Sequence, residues 1–253
     1  MTETQKQILA VWGSPNSGKT TISVKLAAEL AKQKKNVVIV HCDMITPSIP
    51  TLLRNKQDSE TSMGTVLSAP SLTQELIYNN LVPYDKIPYI ALLGYKSGDN
   101  VYTYAEYTKE RAVDMLVLLR HIADYVIVDC SSALHDNILS IAALEIADEI
   151  LRLCSCDLKS ISYYSSYLPL ISDRRFHAEQ HIKVLTNLHS YEGGAEYENA
   201  FGGVKYSLPY LPEIEAQAAT MNLCESLSGK VGKTYEDSIS AMIKEVFRDG
   251  KSS

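Results

Sequence analysis

Lys19 and Thr20 close the run Gly13-Ser14-Pro15-Asn16-Ser17-Gly18-Lys19-Thr20, with Thr21 behind it. Glycine, four residues, glycine, lysine and a hydroxyl is the pattern of a phosphate-binding loop. Gly13 and Gly18 let backbone amides come close to phosphate oxygens. Lys19 can reach the β- and γ-phosphates, and the Thr20 hydroxyl can ligate Mg²⁺. Two aspartates extend the set. "NVVIVHCD" ends in Asp43, and in "ADYVIVDCSS" the apolar run Tyr125–Val128 ends in Asp129. Carboxylates at strand ends can hold the Mg²⁺ shell, and Asp43 can orient an attacking water. The metal candidates are therefore Thr20, Asp43 and Asp129, and the catalytic candidates Asp43 and Lys19. The blander readings are a glycine turn with an incidental Lys-Thr, and aspartates that only cap turns or helices.

The flanking elements favour the chemical reading. "ILAVW", Ile8 to Trp12, is a short apolar run suited to a buried strand, and "TISVKLAAELAKQ" has apolar residues at helical spacing. A helix starting near Gly18 points free N–H groups and its positive dipole end at the loop. Strands and helices alternate along the chain, which predicts an α/β fold of the P-loop type: three layers, a mostly parallel sheet with helices on both faces, and ligand at the carboxyl ends of the strands.

The middle of the chain is quieter. "SMGTVLSAPSLTQELIYNNLV" reads as short helices with a proline break, a segment that could lie over the site. "YIALLGY" reads as a buried strand, and a helix is expected from about Tyr104, with Ala112, Met115, Leu116 and Leu119 on one face. Tyr102, Tyr104 and Tyr107 suit either ordinary packing or a partner surface. "HSYEGGAEYENAFGGVKYS", His189 to Ser207, holds four glycines and reads as a mobile loop or hairpin. Near the end, Ile239, Met242, Ile243, Val246 and Phe247 share a helical face. The opposite face balances acids and bases, which favours packing on the sheet over membrane binding.

The chain has 253 residues, enough for one large α/β domain, and without internal repeats or a linker it reads as one domain over 1–253. The net charge of −6 argues against global attraction to nucleic acid. No apolar stretch approaches the length of a transmembrane helix, and the polar N-terminus has no signal core, so a cytoplasmic protein is expected. Cys42, Cys130, Cys154 and Cys156 lie in or beside apolar runs and read as buried thiols in a reducing compartment.

This order of motifs resembles the MinD/ParA superfamily of deviant Walker A ATPases, over nearly the whole chain. The resemblance implies an ATP switch with Mg²⁺ as cofactor, a homodimer, and an unknown protein partner whose position or assembly is controlled. "HIKVLTNLH" resembles the strand whose terminal Asn contacts adenine, which maps to Asn187. "SLPYLPEIEAQAATM" resembles the loop whose first proline covers the base, which maps to Pro209, followed by Tyr210 and Leu211. "ADYVIVDCSS" and the "PYLPEIEAQA" character are most similar to TadZ/CpaE proteins of pilus machinery, which implies recruitment to a membrane or cell pole through a partner. Two positions depart from the pattern. Ser14 stands where the superfamily places a lysine that crosses the dimer, and His41 stands where an acidic residue is common. The departures imply slow hydrolysis and a dimer built outside the loop, from Asp43–Arg54 and the helix after Ser132. Alternatives are a P-loop kinase for a small molecule, for which Arg174-Arg175 is the only compact arginine pair, and a nucleotide-blind scaffold.

Overall fold

The structure is a computed structural model that describes residues 7–53, 61–189 and 193–247. The polar N-terminal run, Arg54, Tyr191 and the charged residues after Phe247 lie outside the described residues. The strands are β1 (Ile8–Gly13), β2 (Val37–His41), β3 (Val82–Pro83), β4 (Ile90–Gly94), β5 (Tyr125–Asp129), β6 (Glu149–Ser155), β7 (Ile182–Leu188) and β8 (Tyr206–Pro209). The helices are α1 (Lys19–Lys32), α2 (Ile49–Leu52), α3 (Met63–Ser68), α4 (Gln74–Asn79), α5 (Lys109–Leu119), α6 (Ile138–Ile146), α7 (Leu158–Tyr167), α8 (Gly194–Ala200), α9 (Pro212–Ala219) and α10 (Gly229–Val246).

The strands form one sheet in the order β3-β4-β2-β5-β1-β6-β7-β8. All pairs are parallel except the edge pair β3–β4. The edge is where Pro83 costs no ladder bond. Alternation along β1 builds the layers. Ile8, Ala10 and Trp12 enter one core with α3 to α7, while Leu9 and Val11 enter the other with α1, α2 and α10. Because β1 is central and buried on both faces, every one of its residues is buried, as a doubly covered parallel strand requires. The chain goes from β1 to β2 on one side and reaches β6 on the other, so the sheet order reverses at β1, where a crevice opens.

Four expectations need correction. Helix α5 begins at Lys109 rather than near Tyr104, because the Thr108 hydroxyl accepts the Arg111 N–H (3.3 Å) and caps it there. The glycine-rich stretch contains a helix, α8, rather than a hairpin. Helices α3 and α4 do not cover the crevice; they bury Met63, Val66, Leu67 and Ile77 in the core. Part of the expected base loop is helical, since Pro212 sits in the first turn of α9, where a missing N–H costs nothing. The terminal helix α10 packs against α1 and β8, with Phe247 against Tyr125, as its apolar face predicts. The cysteines Cys42, Cys130, Cys154 and Cys156 are buried and are not in disulfides. Burial pushes the Cys154 thiol up to about 11, so it stays protonated near neutral pH.

Candidate functional site

The loop between β1 and α1 is built largely by its own side chains. Ser17 Oγ donates to Ser14 O (2.8 Å), closing a tight turn. Asn16 takes the left-handed backbone (φ 59°), which asparagine tolerates better than most residues. Gly18 is also left-handed (φ 81°) and caps α1 with no side-chain hydrogen bond, so the first-turn N–H groups are left for an anion. Gly13 must be glycine because a Cβ there would come within 2.5 Å of Leu153 O.

Three neighbours hold this loop. Ser14 is buried, and its hydroxyl meets Ser160 Oγ of α7 at 2.9 Å. Thr186 Oγ1 donates to Ser17 O (2.9 Å), and Asn187 Nδ2 donates to Asn16 O (3.0 Å) and Ser155 Oγ (3.2 Å). Lys19 Nζ donates to Ser14 O (3.0 Å) and to Ser132 Oγ (2.6 Å). Burial pushes the Lys19 pKa down, opposed by the charge of Asp129.

Opposite the loop, Asp129 ends β5. Its Oδ2 accepts both the Thr20 hydroxyl (2.6 Å) and His41 Nδ1 (2.9 Å). An ionised carboxylate only accepts, so Nδ1 carries the imidazole proton. Asp43 lies just past β2, and its Oδ1 accepts the Ile45 and Thr46 N–H groups (2.9 and 3.0 Å), which fixes the turn beside the cleft.

Two cavities join along the loop. One of about 660 Å³ is lined by Pro15, Gly18, Lys19, Thr20, Asp43 and Asp129. The other, of about 470 Å³, is lined by Asn187, Pro209, Tyr210, Leu211, His189 and Ile214. Asn16, Gly18, Thr21 and Glu215 line both. One cleft thus has a polar, cation-bearing half and a half walled by aromatic and aliphatic side chains, where His189 and Tyr210 stack at 4.1 Å. The geometry brings together all the residues named from the sequence except Gly13 and Ser14, which sit beneath the cleft floor.

A family model described as "AAA domain" matches residues 13–184. The chain belongs to this family. Its fold matches that of a ParA family ATPase from Chlorobium tepidum TLS (TM-score 0.78, 16% identity, 93% of this chain and 98% of that one). It also matches the septum site-determining protein MinD of Pyrococcus horikoshii OT3 in complex with Mg-ADP (TM-score 0.70, 14% identity, 95% and 97%). A third match is cobyrinic acid a,c-diamide synthase of Mycobacterium smegmatis with bound ADP and magnesium (TM-score 0.66, 17% identity, 95% and 95%). No curated protein matches the sequence. In this AAA-domain chain the MinD/ParA-type fold is thus plain.

Sequence reasoning missed Ser132, His189 and Glu215. Ser132 follows Asp129 in the quoted "DCSS" run, and that proximity was the available signal. His189 and Glu215 reach the cleft through tertiary packing and left no local mark.

Proposed function

We propose that the chain is a single P-loop ATPase domain that binds Mg-ATP in this cleft and uses nucleotide occupancy to control a partner complex, with pilus or secretion machinery as the leading class. The observation that carries the reading is the meeting of Thr20 and Asp129 at 2.6 Å beside the uncapped start of α1 and the Lys19 ammonium. Hydroxyl and carboxylate are hard oxygen donors of the kind Mg²⁺ takes, so the residues fit that ion. Thr20 would ligate it and Asp129 would hold its shell, with Asp43 at the cleft edge. Bound Mg²⁺ would supply charge neutralisation at the phosphates. Lys19 would leave Ser14 O and Ser132 Oγ for phosphate oxygens, and the α1 amides would complete the anion cradle.

Adenine selectivity follows from Asn187. Its Nδ2 is committed to Asn16 and Ser155, so the amide oxygen is left to accept from an exocyclic amine. At C6 adenine carries that amine, whereas guanine carries a carbonyl there. Pro209, Tyr210 and Leu211 supply the apolar wall.

Slow turnover is the expected rate behaviour. Lys19 is the one lysine lining the phosphate half among the described residues, and Ser14 turns inward to α7 rather than out of the loop. With one fewer cation on the transferring phosphoryl group, turnover should fall well below the enzyme median of about 10 per second. A homodimer would meet at the carboxyl edge, where Pro15, Ile45 (80% exposed), Ile138 and Leu158 (76% exposed) crown successive strand ends. A kinase lid finds no support, because Arg175 is paired with Glu145 (3.2 Å) and lies on the Phe176 ring.

The test is calorimetric titration of ADP and ATP with Mg²⁺ into the protein and Lys19→Ala. Loss of binding with an unchanged melting curve is expected. Equal affinity in the variant would remove this site from the reading.

A further inference from the structure

Across Asp43 from the phosphate half lies a further cavity of about 490 Å³, a size that suits a small molecule. Asp43, Ile45, Ser131 and Ala133 line both spaces, so a ligand here would neighbour the terminal phosphate.

The walls are built and braced. The Tyr104 hydroxyl donates to Asp99 Oδ1 (3.1 Å), while Asp99 Oδ2 accepts from Ser62 Oγ (2.7 Å) and the Lys96 N–H (3.0 Å). The Tyr104 ring occupies the space beside Gly64: a Cβ on Gly64 would sit 2.2 Å from it. Asn137 spends its amide on structure, donating to Cys42 O (2.8 Å) and accepting the Ser140 N–H (2.8 Å). Asn100 likewise accepts the Tyr102 N–H (3.0 Å) and donates to Gly98 O (3.3 Å). Expected from the sequence as a possible partner surface, the three tyrosines divide: Tyr102 is exposed (94%), whereas Tyr104 and Tyr107 line this cavity.

Charge sets the ligand class. With both asparagines committed, the strong polar groups among the lining residues are the carboxylates of Asp43, Glu106 and Asp136, and these residues include no lysine or arginine. Asp136 also meets the neighbouring His135 Nε2 (2.8 Å). The remaining surface is apolar or aromatic, from Met44, Ile45, Val101, Tyr95 and Tyr107. A space lined by three carboxylates and by no lysine or arginine repels anions and favours a cation. An apolar body with one positive charge matches both properties.

We propose that this cavity binds a small alkyl- or arylammonium molecule, its body against the tyrosines and Met44 and its ammonium at the rim formed by Asp43, Glu106 and Asp136. Binding itself does not depend on the ATP reading; only its coupling to nucleotide rests on that reading. An ammonium beside the terminal phosphate would also supply a cation near the cleft that Ser14 does not provide. By linkage, each ligand then raises the affinity for the other, by at least about fivefold.

The test titrates phenethylammonium and hexylammonium into the nucleotide-free protein, with phenylpropionate and hexanoate as shape-matched anions. The ammonium probes should bind with a Kd near or below about 1 mM, and the anions at least about tenfold more weakly. Two variants outside the nucleotide cleft locate the binding. Ala105→Trp should block it by filling the space, and Glu106→Gln with Asp136→Asn should weaken it about fivefold or more. Circular dichroism and retained Mg-ADP binding establish that each variant folds. A repeat with saturating ATP reads the coupling. Equal binding of anions and cations, binding untouched by Ala105→Trp, or capture of a basic peptide but neither probe would overturn the assignment. Probe binding without nucleotide coupling would keep the cavity and overturn its link to the phosphates.

Discussion

Asn187 is the residue where structure and selectivity can be separated by substitution. It sits at φ 56°, in the left-handed region, and its Nδ2 donates to Asn16 O and Ser155 Oγ. Asn187→Gly keeps the backbone conformation at no steric cost but deletes both hydrogen bonds. Asn16 is exposed, so water can replace its partner, and each lost bond should cost only about 0.5–1 kcal/mol. The combined loss of about 1–2 kcal/mol predicts a melting temperature lower by about 2–8 °C for a chain of this size. Asn187→Ala loses the same bonds and adds left-handed strain of about 1–2 kcal/mol, so it should melt lowest. Binding reports the other role. Loss of one acceptor facing the adenine amine, worth about 1 kcal/mol, should weaken ADP about fivefold and leave GDP unchanged. Calorimetric titration with both nucleotides and thermal melts of the three proteins measure these quantities. An Ala variant as stable as the Gly variant would refute the strain argument, and an unchanged ADP-to-GDP ratio would refute the base assignment.

Three other outcomes are expected. His181 accepts from Trp12 Nε1 (3.1 Å) at Nδ1 and donates from Nε2 to Phe176 O (2.7 Å), so it is held neutral, and burial lowers its pKa from 6.5 to about 4. The unfolded chain therefore takes the proton first: stability is intact above about pH 6.5 and falls by about 3 kcal/mol as pH drops to about 4, a decline that urea melts should show to be shallower in His181→Gln. His41→Leu removes a donor from Asp129, so the gain in ADP affinity on adding Mg²⁺ should shrink several-fold and His41→Asn, which restores an N–H, should recover most of it; identical Mg²⁺ gains in all three proteins would show that His41 does not position the aspartate. Ser14→Lys forces a cation into a buried site against Ser160, so the melt should drop by about 4–8 °C for a cost of about 2 kcal/mol, with no faster phosphate release; a stable variant with rapid hydrolysis would refute the inward placement.

The phosphate half of the cleft was legible because its geometry is local. A strand, a glycine loop and a helix N-terminus are contiguous, so Gly13, Gly18, Lys19 and Thr20 declare their places by spacing. Asp129 was legible for a different reason: a five-residue buried strand leaves few exits for its carboxylate. The base half was reachable only through resemblance, since Asn187 and Pro209 carry no periodic signal. Ser132 and Ser160 contact the loop from 113 and 146 positions away, distances at which periodicity carries no information. The start of α5 is set by a cap that the apolar pattern does not reveal, the Thr108 hydroxyl taking the Arg111 N–H, while Tyr104 lies against Gly64.

The residues at 14 to 17 connect binding to rate. A loop with several glycines loses much backbone freedom when it orders. Here Pro15 fixes one dihedral, Asn16 holds the left-handed turn, Ser17 closes it onto Ser14 O, and Thr186 and Asn187 pin two of its carbonyls. The loop is thus shaped before nucleotide arrives, which lowers the ordering cost of binding. The same substitutions remove mobility and leave Lys19 as the loop's single cation. In the loose transition state of phosphoryl transfer charge develops on the leaving-group oxygen, so a missing cation there costs rate more than it costs affinity. On the proposed reading this loop holds nucleotide longer than it turns it over, and tight ADP binding together with rapid phosphate release in the same preparation would refute that balance.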